Sequence, residues 1–349
     1  MCLLVETPFP IDNPLVTVIV VCYNHARFAW ECLESVRHQQ YPRVELIIVD
    51  DRSSDGSVDV IERWVRENSV DCVLLLHEQN IGLCRSLNEA LGRASGKYVC
   101  IVATDDVWMP EKLVRQVRLF DELPSDYAVV YSDAIQVSET GEPLPVRFMA
   151  ERGVTGIAPH GDVLGRLAQG NFIPAPTAMI RRSALEAAGP YDERLCYEDW
   201  DMWLRLASRH RFAYLDYVLA KYRVVASSLS RTVLAHRNRA SVVSALLVAE
   251  RILALDALPV EKRRGKRLEI SRLAWKLCAM EDPEAMTYLR SSLKRDRRIV
   301  TALLVALRWS PATRGTATRV ARGILGAGAY ADWQISKLKR LPRVLARRN

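Results

Sequence analysis

Residues 16–21 (Val-Thr-Val-Ile-Val-Val) are β-branched throughout and stop abruptly at Cys22-Tyr23-Asn24. A run without polar alternation predicts a strand covered on both faces, ending in turn chemistry. The period then lengthens, and Phe28, Leu33 and Val36 fall on one side of a helix. Residues 44–49 (Val-Glu-Leu-Ile-Ile-Val) read as a second strand, halted by Asp50-Asp51. Ser53-Ser54-Asp55-Gly56 supplies turn and N-cap residues, and Val58, Ile61, Trp64 and Val65 mark the next helical face. A third strand is predicted over 72–76 and a helix over 80–94, introduced by Asn80-Ile81-Gly82. A fourth strand over 98–103 ends at Thr104-Asp105-Asp106. Pro110 suits a first helical turn, its helix runs to Leu123, and 127–131 make a fifth strand.

Strands alternating with helices of this length imply right-handed βαβ units in a mostly parallel sheet. Ligands of such sheets sit outside the carboxyl ends of the strands. Tyr23-Asn24, Asp50-Asp51 and Asp105-Asp106 are therefore expected along one sheet edge. Beyond residue 150 the pattern loosens. Asn171 to Pro176 reads as a loop, 177–180 as a short strand, and Glu198-Asp199 opens a helix with Trp200, Trp203, Leu204 and Ala207 on its apolar face. Two short strands are predicted over 212–218 and 221–225. From Thr232 only helical patterns remain, so an α/β domain over 14–228 is expected before a basic helical region over 229–349.

Charge reinforces that division. The 349-residue chain has a net charge of +8, yet residues 1–225 hold 23 Lys and Arg against 32 Asp and Glu, and residues 226–349 hold 26 against 9. A basic segment favours polyanions such as anionic lipid, nucleic acid or phosphate-bearing substrates. The eight cysteines show no CxxC spacing, which argues against a zinc site, and several lie in apolar runs that suit reduced thiols. Neither a secretory leader nor a spanning apolar stretch is recognisable, so a cytoplasmic protein is expected.

Asp105-Asp106 carries the most chemistry. Adjacent carboxylates at a buried strand end repel one another, and their hard oxygens suit Mg²⁺ or Mn²⁺ together with substrate phosphates; the competing reading is a solvated turn. Asp50-Asp51 could accept from a base N–H or a ribose hydroxyl, or cap a helix. Glu198-Asp199 could supply a general base walled by Trp200 and Trp203, or again a helix cap. No GxGxxG follows the first strand, and neither GxxxxGK[ST] nor GxSxG occurs, which excludes the dinucleotide, P-loop and hydrolase signatures. His25 reads as a polar loop residue.

In order and spacing these motifs resemble the family-2 nucleotide-sugar glycosyltransferases of GT-A fold, from about Val16 to Tyr222. The resemblance rests on Val-Ile-Val-Val-Cys-Tyr-Asn-His, Val-Glu-Leu-Ile-Ile-Val-Asp-Asp-Arg-Ser-Ser-Asp-Gly-Ser, Asn-Ile-Gly-Leu, Thr-Asp-Asp and Glu-Asp-Trp-Asp. It implies that Tyr23, Asn24, Asp50, Asp51, Arg85 and Asp105 line the donor nucleotide, with Tyr23 and Asp51 at the base. It further implies that Asp105 and Asp106 hold Mg²⁺ or Mn²⁺, and that Asp199, partnered by Glu198, is the base of an inverting transfer. The sequence departs from the family pattern in three places. Leu87 rather than Arg precedes Asn88, Val224-Val225 rather than a His follows Tyr222-Arg223, and no Gln-x-x-Arg-Trp follows Glu198-Asp199. The last departure separates the chain from processive synthases. The Pro174-Ala175-Pro176-Thr177 stretch is similar to bacterial lipopolysaccharide or exopolysaccharide transferases, rhamnosyltransferases included.

The resemblance thus implies a UDP- or dTDP-sugar donor and a glycan or lipid-linked acceptor. Loop 145–175 is the candidate cover for the donor. In 330–349, Tyr330, Trp333, Leu338, Leu341 and Leu345 approximate one helical side among basic residues, which suits peripheral docking on the anionic inner face of the cytoplasmic membrane. Nucleic acid is not expected, because the acidic front half repels phosphate. A non-catalytic nucleotide-sugar binder or scaffold is the alternative. A nucleotidyltransferase is disfavoured by the missing glycine-rich loop.

Overall fold

The computed structural model describes residues 13–225, 238–280, 282 and 284. Two compact units contain them: the described residues up to Val225 together with Ala254–Leu258, and the remainder.

The first unit is built on one eight-stranded sheet. Its opening half follows the alternation read from the sequence: β1 (Val16–Cys22), α1 (Ala26–Arg37), β2 (Val44–Asp50), α2 (Ser57–Asn68), β3 (Val73–Leu76), α3 (Leu83–Leu91) and β4 (Tyr98–Ala103). The order β3-β2-β1-β4 is parallel throughout. Every residue of β1 is buried. Each fully buried Val or Ile contributes about 1.5–3 kcal/mol, so this strand anchors the sheet. Gly96 permits close packing beneath it, since a Cβ there would lie 2.5 Å from the Thr17 backbone nitrogen.

The second half is mixed. It comprises β5 (Val107–Trp108), α4 (Lys112–Glu122), β6 (Tyr127–Val137), the short helices α5 (Phe148–Glu151) and α6 (Leu164–Leu167), β7 (Met179–Arg181), α7 (Arg182–Ala188), α8 (Asp199–Ala207) and β8 (Arg211–Arg223). β7 runs antiparallel to both β4 and β6, which closes the parallel portion; β8 pairs parallel to β6 and antiparallel to β5. The α/β class expected from the sequence is the one observed.

Several boundaries differ from the sequence reading: Thr177 ends a 3-10 turn ahead of β7, α3 stops at Leu91, β5 is additional, and three further differences are larger. The fifth strand continues to Val137. The two strands expected over 212–225 are one, β8, whose pairing with β6 jumps from Tyr131↔Tyr214 to Asp133↔Val218. This irregularity leaves extra β8 residues unpaired and interrupts the ladder, which in a sequence looks like a gap. α3 starts after Gly82 rather than at Asn80, because the Ile81 and Gly82 amides are drawn to the Asp51 carboxylate.

In the second unit, α9 (Arg239–Ala254) and α10 (Val260–Ala279) pack through Val242, Leu246, Ala249, Ile270, Ala274 and Leu277. No helix among the described residues is long and apolar enough to cross a membrane. The amphipathic stretch 330–349 lies outside the described residues. Cys22, Cys32, Cys84 and Cys100 are buried free thiols.

Candidate active site

Parallel register delivers three polar loops to one edge. Cys22 pairs with Asp50, and Val21 with Ala103, so β1, β2 and β4 end level with one another. The backbone continues the ladder beyond the strands: Asp51 N–H donates to Cys22 O at 3.0 Å, and Thr104 N–H to Val21 O at 3.0 Å. The structure therefore gathers Tyr23, Asn24, Asp50, Asp51, Asp105 and Asp106 at a single rim.

Their environments differ sharply. Tyr23 is 49% exposed. Asn24 adopts a left-handed backbone (φ +57°), a conformation Asn tolerates well. Its Oδ1 accepts from Ser54 N–H at 2.8 Å, and its own N–H donates to Ser53 Oγ at 2.8 Å, tying the first loop to the second. Asp50 is buried, and both its oxygens are engaged: Oδ1 accepts from Ser53 N–H at 2.8 Å and Oδ2 from Ser53 Oγ at 2.6 Å. It shapes the turn. Asp51 reaches the other way, accepting from Ile81 N–H at 2.8 Å, Gly82 N–H at 2.9 Å and the His77 ring at 2.9 Å. Gly82 sits at φ +89°, where a side chain would be strained.

Asp106 is buried, and its Oδ1 accepts from Arg223 N–H at 2.9 Å at the end of β8. Burial, and then the charge of Asp105, pushes its carboxyl well above the usual range. Burial also raises Asp105, opposed by His25 and Arg223. His25 Nδ1 stands 3.0 Å from Thr104 Oγ1 and 3.8 Å from Asp105 Oδ1. Two adjacent carboxylates, desolvated and mutually repelling, want a cation. The described residues hold no cluster of three or more acid, His or Cys ligands. A pair of hard oxygens fits Mg²⁺ or Mn²⁺, which take one or two protein carboxylates and complete their shell with water or phosphate.

Arg223 organises this corner. Its buried guanidinium donates to Asp105 O (2.9 Å), Ser138 O (3.3 Å), Glu139 O (3.1 Å) and Glu31 Oε2 (2.7 Å). The sequence reading looked past Tyr222-Arg223 for a histidine and missed this role. A basic side chain at the end of a predicted strand was the available signal.

Glu198 and Asp199 open α8. The preceding segment is fastened to α3, the helix that starts beside Asp51. Asn88 donates to Tyr191 O at 3.0 Å and accepts from Tyr191 N–H at 2.8 Å, while the Cys84 thiol donates to Leu195 O at 3.4 Å. Arg85 also serves this seam, pairing with Glu193 at 2.9 Å while remaining largely exposed. Asp199 accepts from Asn171 Nδ2 at 2.6 Å and from Trp200 N–H at 2.6 Å. Burial still raises its carboxyl above the ordinary range. Glu198 is pushed from 4.5 to about 8, first by burial and then by the Asp199 charge. Asp201 is different again, forming a buried ion pair with Arg205 at 2.8 Å.

The Glu198 shift has a thermodynamic consequence. A carboxyl that holds its proton more tightly when folded contributes stability below its unfolded value and loses it as pH rises to the folded one. The melting temperature of the metal-free protein should therefore fall between about pH 4.5 and pH 8, and Glu198→Gln should flatten that fall. Calorimetric melts across the range decide this, and parallel slopes in both proteins would refute it.

A cavity of about 430 Å³ lies against β6 and the 145–158 segment, lined among others by Asp133, Val146, Arg147, Met149 and Tyr214. None of the acids expected to carry chemistry lines it. The 145–175 stretch is partly ordered into α5 and α6, and Trp200 Nε1 donates to Leu167 O at 2.9 Å.

A signature of the glycosyl transferase family 2 matches residues 17–189. The chain is 31% identical over 219 residues to a putative teichuronic acid biosynthesis glycosyltransferase, TuaG, of Bacillus subtilis, covering 62% of this chain and 82% of that protein. It is 32% identical over 199 residues to the putative glycosyltransferase EpsE of the same organism, covering 56% and 67%. Among solved structures, Staphylococcus aureus TarS 1–349 in complex with UDP-GlcNAc superposes with a TM-score of 0.56 at 18% identity, covering 92% of each chain. The mannosyltransferase PcManGT of Pyrobaculum calidifontis, in complex with GDP-Man and Mn²⁺, gives 0.53 at 19%, covering 93% and 90%. At such identity the structural likeness speaks for the fold, which is GT-A. The chain belongs to glycosyl transferase family 2.

Proposed function

We propose that this glycosyltransferase moves a sugar from a nucleoside-diphosphate donor to a hydroxyl of a glycan or lipid-linked acceptor, with inversion at the anomeric carbon and without processivity. The observation that carries the reading is that two acid sites are desolvated: Asp105-Asp106 at the sheet edge and Glu198-Asp199 at the start of α8. Acids whose ionisation is opposed by their surroundings destabilise a fold, which marks a functional site rather than a scaffold. The relatives point the same way: TarS is described with UDP-GlcNAc and PcManGT with GDP-Man and Mn²⁺.

In this reading Tyr23, Asn24 and Asp51 bound the nucleotide, while Asp50 and Arg85 act by holding their loops. Asp105 and Asp106 would hold Mg²⁺ or Mn²⁺. Bound there, the ion would offset negative charge on the nucleoside-diphosphate leaving group. Asp199 takes the proton of the acceptor hydroxyl, and the Asn171 amide fixes the carboxylate for that task. Glu198, which keeps its proton to about pH 8, leaves Asp199 the ionised member of the pair. The teichuronic acid relative supports an acceptor within bacterial surface polysaccharide synthesis.

A ligand that binds only the folded state raises its melting point, by about 2.7 kcal/mol of stability at a hundredfold excess over Kd. A thermal-shift screen of UDP-, dTDP- and GDP-sugars, with and without Mn²⁺, should find a donor whose shift depends on the metal. No shift with any of them would refute the reading.

A further inference from the structure

Asp51 is oriented in advance by a residue outside the family motifs. Three donors converge on its carboxylate: the His77 ring and Ile81 N–H on Oδ1, Gly82 N–H on Oδ2. A carboxylate offers about four acceptor positions, so Oδ2 keeps one unused. His77 and Asp51 are nearly buried, with side chains 10% and 9% exposed. Of the ring nitrogens only Nδ1 is hydrogen-bonded; Nε2 lies 3.3 Å from Glu89 Oε2 on α3 and makes no hydrogen bond. The His77 backbone N–H donates to Asp50 O at 3.0 Å, so the residue ties the ends of β2 and β3 together.

The terminal torsion of an Asp is broad and twofold, so the orientation of its oxygens is fixed by donors rather than by sterics. A carboxylate only accepts, which assigns the shared hydrogen to His77 Nδ1. Without that donor, the carboxylate keeps one amide on each oxygen and is held less firmly.

We infer that His77 is a positioning residue for nucleotide recognition: its Nδ1–H locks the Asp51 carboxylate so that Oδ2 is presented to an N–H or O–H donor of the ligand. This rests on the donor-site reading of Asp51 given above. It assigns to His77 a share of nucleotide affinity and none of the chemical step.

Two amide replacements separate the ring nitrogens. In His77→Asn the amide nitrogen takes the place of Nδ1; in His77→Gln it takes the place of Nε2. Calorimetric titration with UDP, dTDP and GDP in the presence of Mn²⁺ identifies the nucleotide the wild type binds. For that nucleotide, His77→Gln should weaken binding about tenfold, or about 1.4 kcal/mol, and His77→Asn should recover most of that loss. Both variants lose the ring, so their melting temperatures should fall together. Hydrolysis of the matching nucleotide-sugar at saturation should keep its wild-type rate in His77→Gln.

Equal affinity losses in the two variants, no loss in His77→Gln, or a loss confined to the saturated rate would each overturn the assignment. A wild-type protein that binds none of the three nucleotides would instead bring down the donor-site reading itself.

Discussion

Asp106→Asn should cut sugar transfer by roughly a thousandfold, equivalent to about 4 kcal/mol of barrier, while leaving the protein at least as stable as before. The two halves of that expectation have separate origins. The carboxamide keeps an oxygen for Arg223 N–H, the bond that fixes the turn. It also removes a buried charge that Asp105 repels, so a destabilising term disappears. Activity is lost because a neutral amide no longer completes the acidic pair. Initial rates at saturating donor, paired with thermal melts, test both halves. A variant within tenfold of the parent would contradict the role of this pair, and a variant that fails to fold would contradict the account of its strain.

The second large effect belongs to Asp199→Asn. Loss of a general base costs about a hundred- to ten-thousandfold in rate, and the loss should fall on kcat while donor affinity stays put. Asn171, which now donates to Oδ2, can serve the amide oxygen in the same place, so the start of α8 should survive. The parent enzyme carries a matching pH signature. Burial raises the Asp199 carboxyl, so the ionised base is gained as pH rises, and transfer should climb on the acidic limb. Stopped assays over a pH series would show that limb in the parent and its disappearance in the variant. Unchanged turnover in Asp199→Asn would remove this residue from the chemistry.

What the sequence made legible follows from the physics of parallel sheets. Runs rich in β-branched residues marked β1, β2 and β4, and polar residues at their ends had to share an edge because parallel strands point the same way. That reasoning put Tyr23, Asp51, Asp105 and Asp106 on one sheet edge, where the structure has them, without any contact being known. It could not separate Asp50 from Asp51. The two are chemically identical neighbours, and only the pleat, which turns one toward Ser53 and the other toward Ile81 and Gly82, distinguishes them. Residues acting across long sequence separations were silent for the same reason. His77, Asn88, Asn171 and Arg223 acquire meaning only from partners that the chain's return brings near. The short strand read over 177–180 corresponds to β7, but its antiparallel direction was hidden, as was the bulge in β8, which disguises the period.

Arg223 has a bearing on how such enzymes can be recombined. Its five-membered set of bonds joins the residue that closes β8 to the turn after β4, the 138–139 bend and the first helix. A chimera that grafts the opening half of one relative onto the closing half of another would cut through this junction. Unless arginine, bend and Glu31 travel together, the graft leaves a guanidinium without its acceptors beneath the acids it should steady. Modular exchange in this chain therefore has its natural seam beyond residue 223, not in the middle of the sheet.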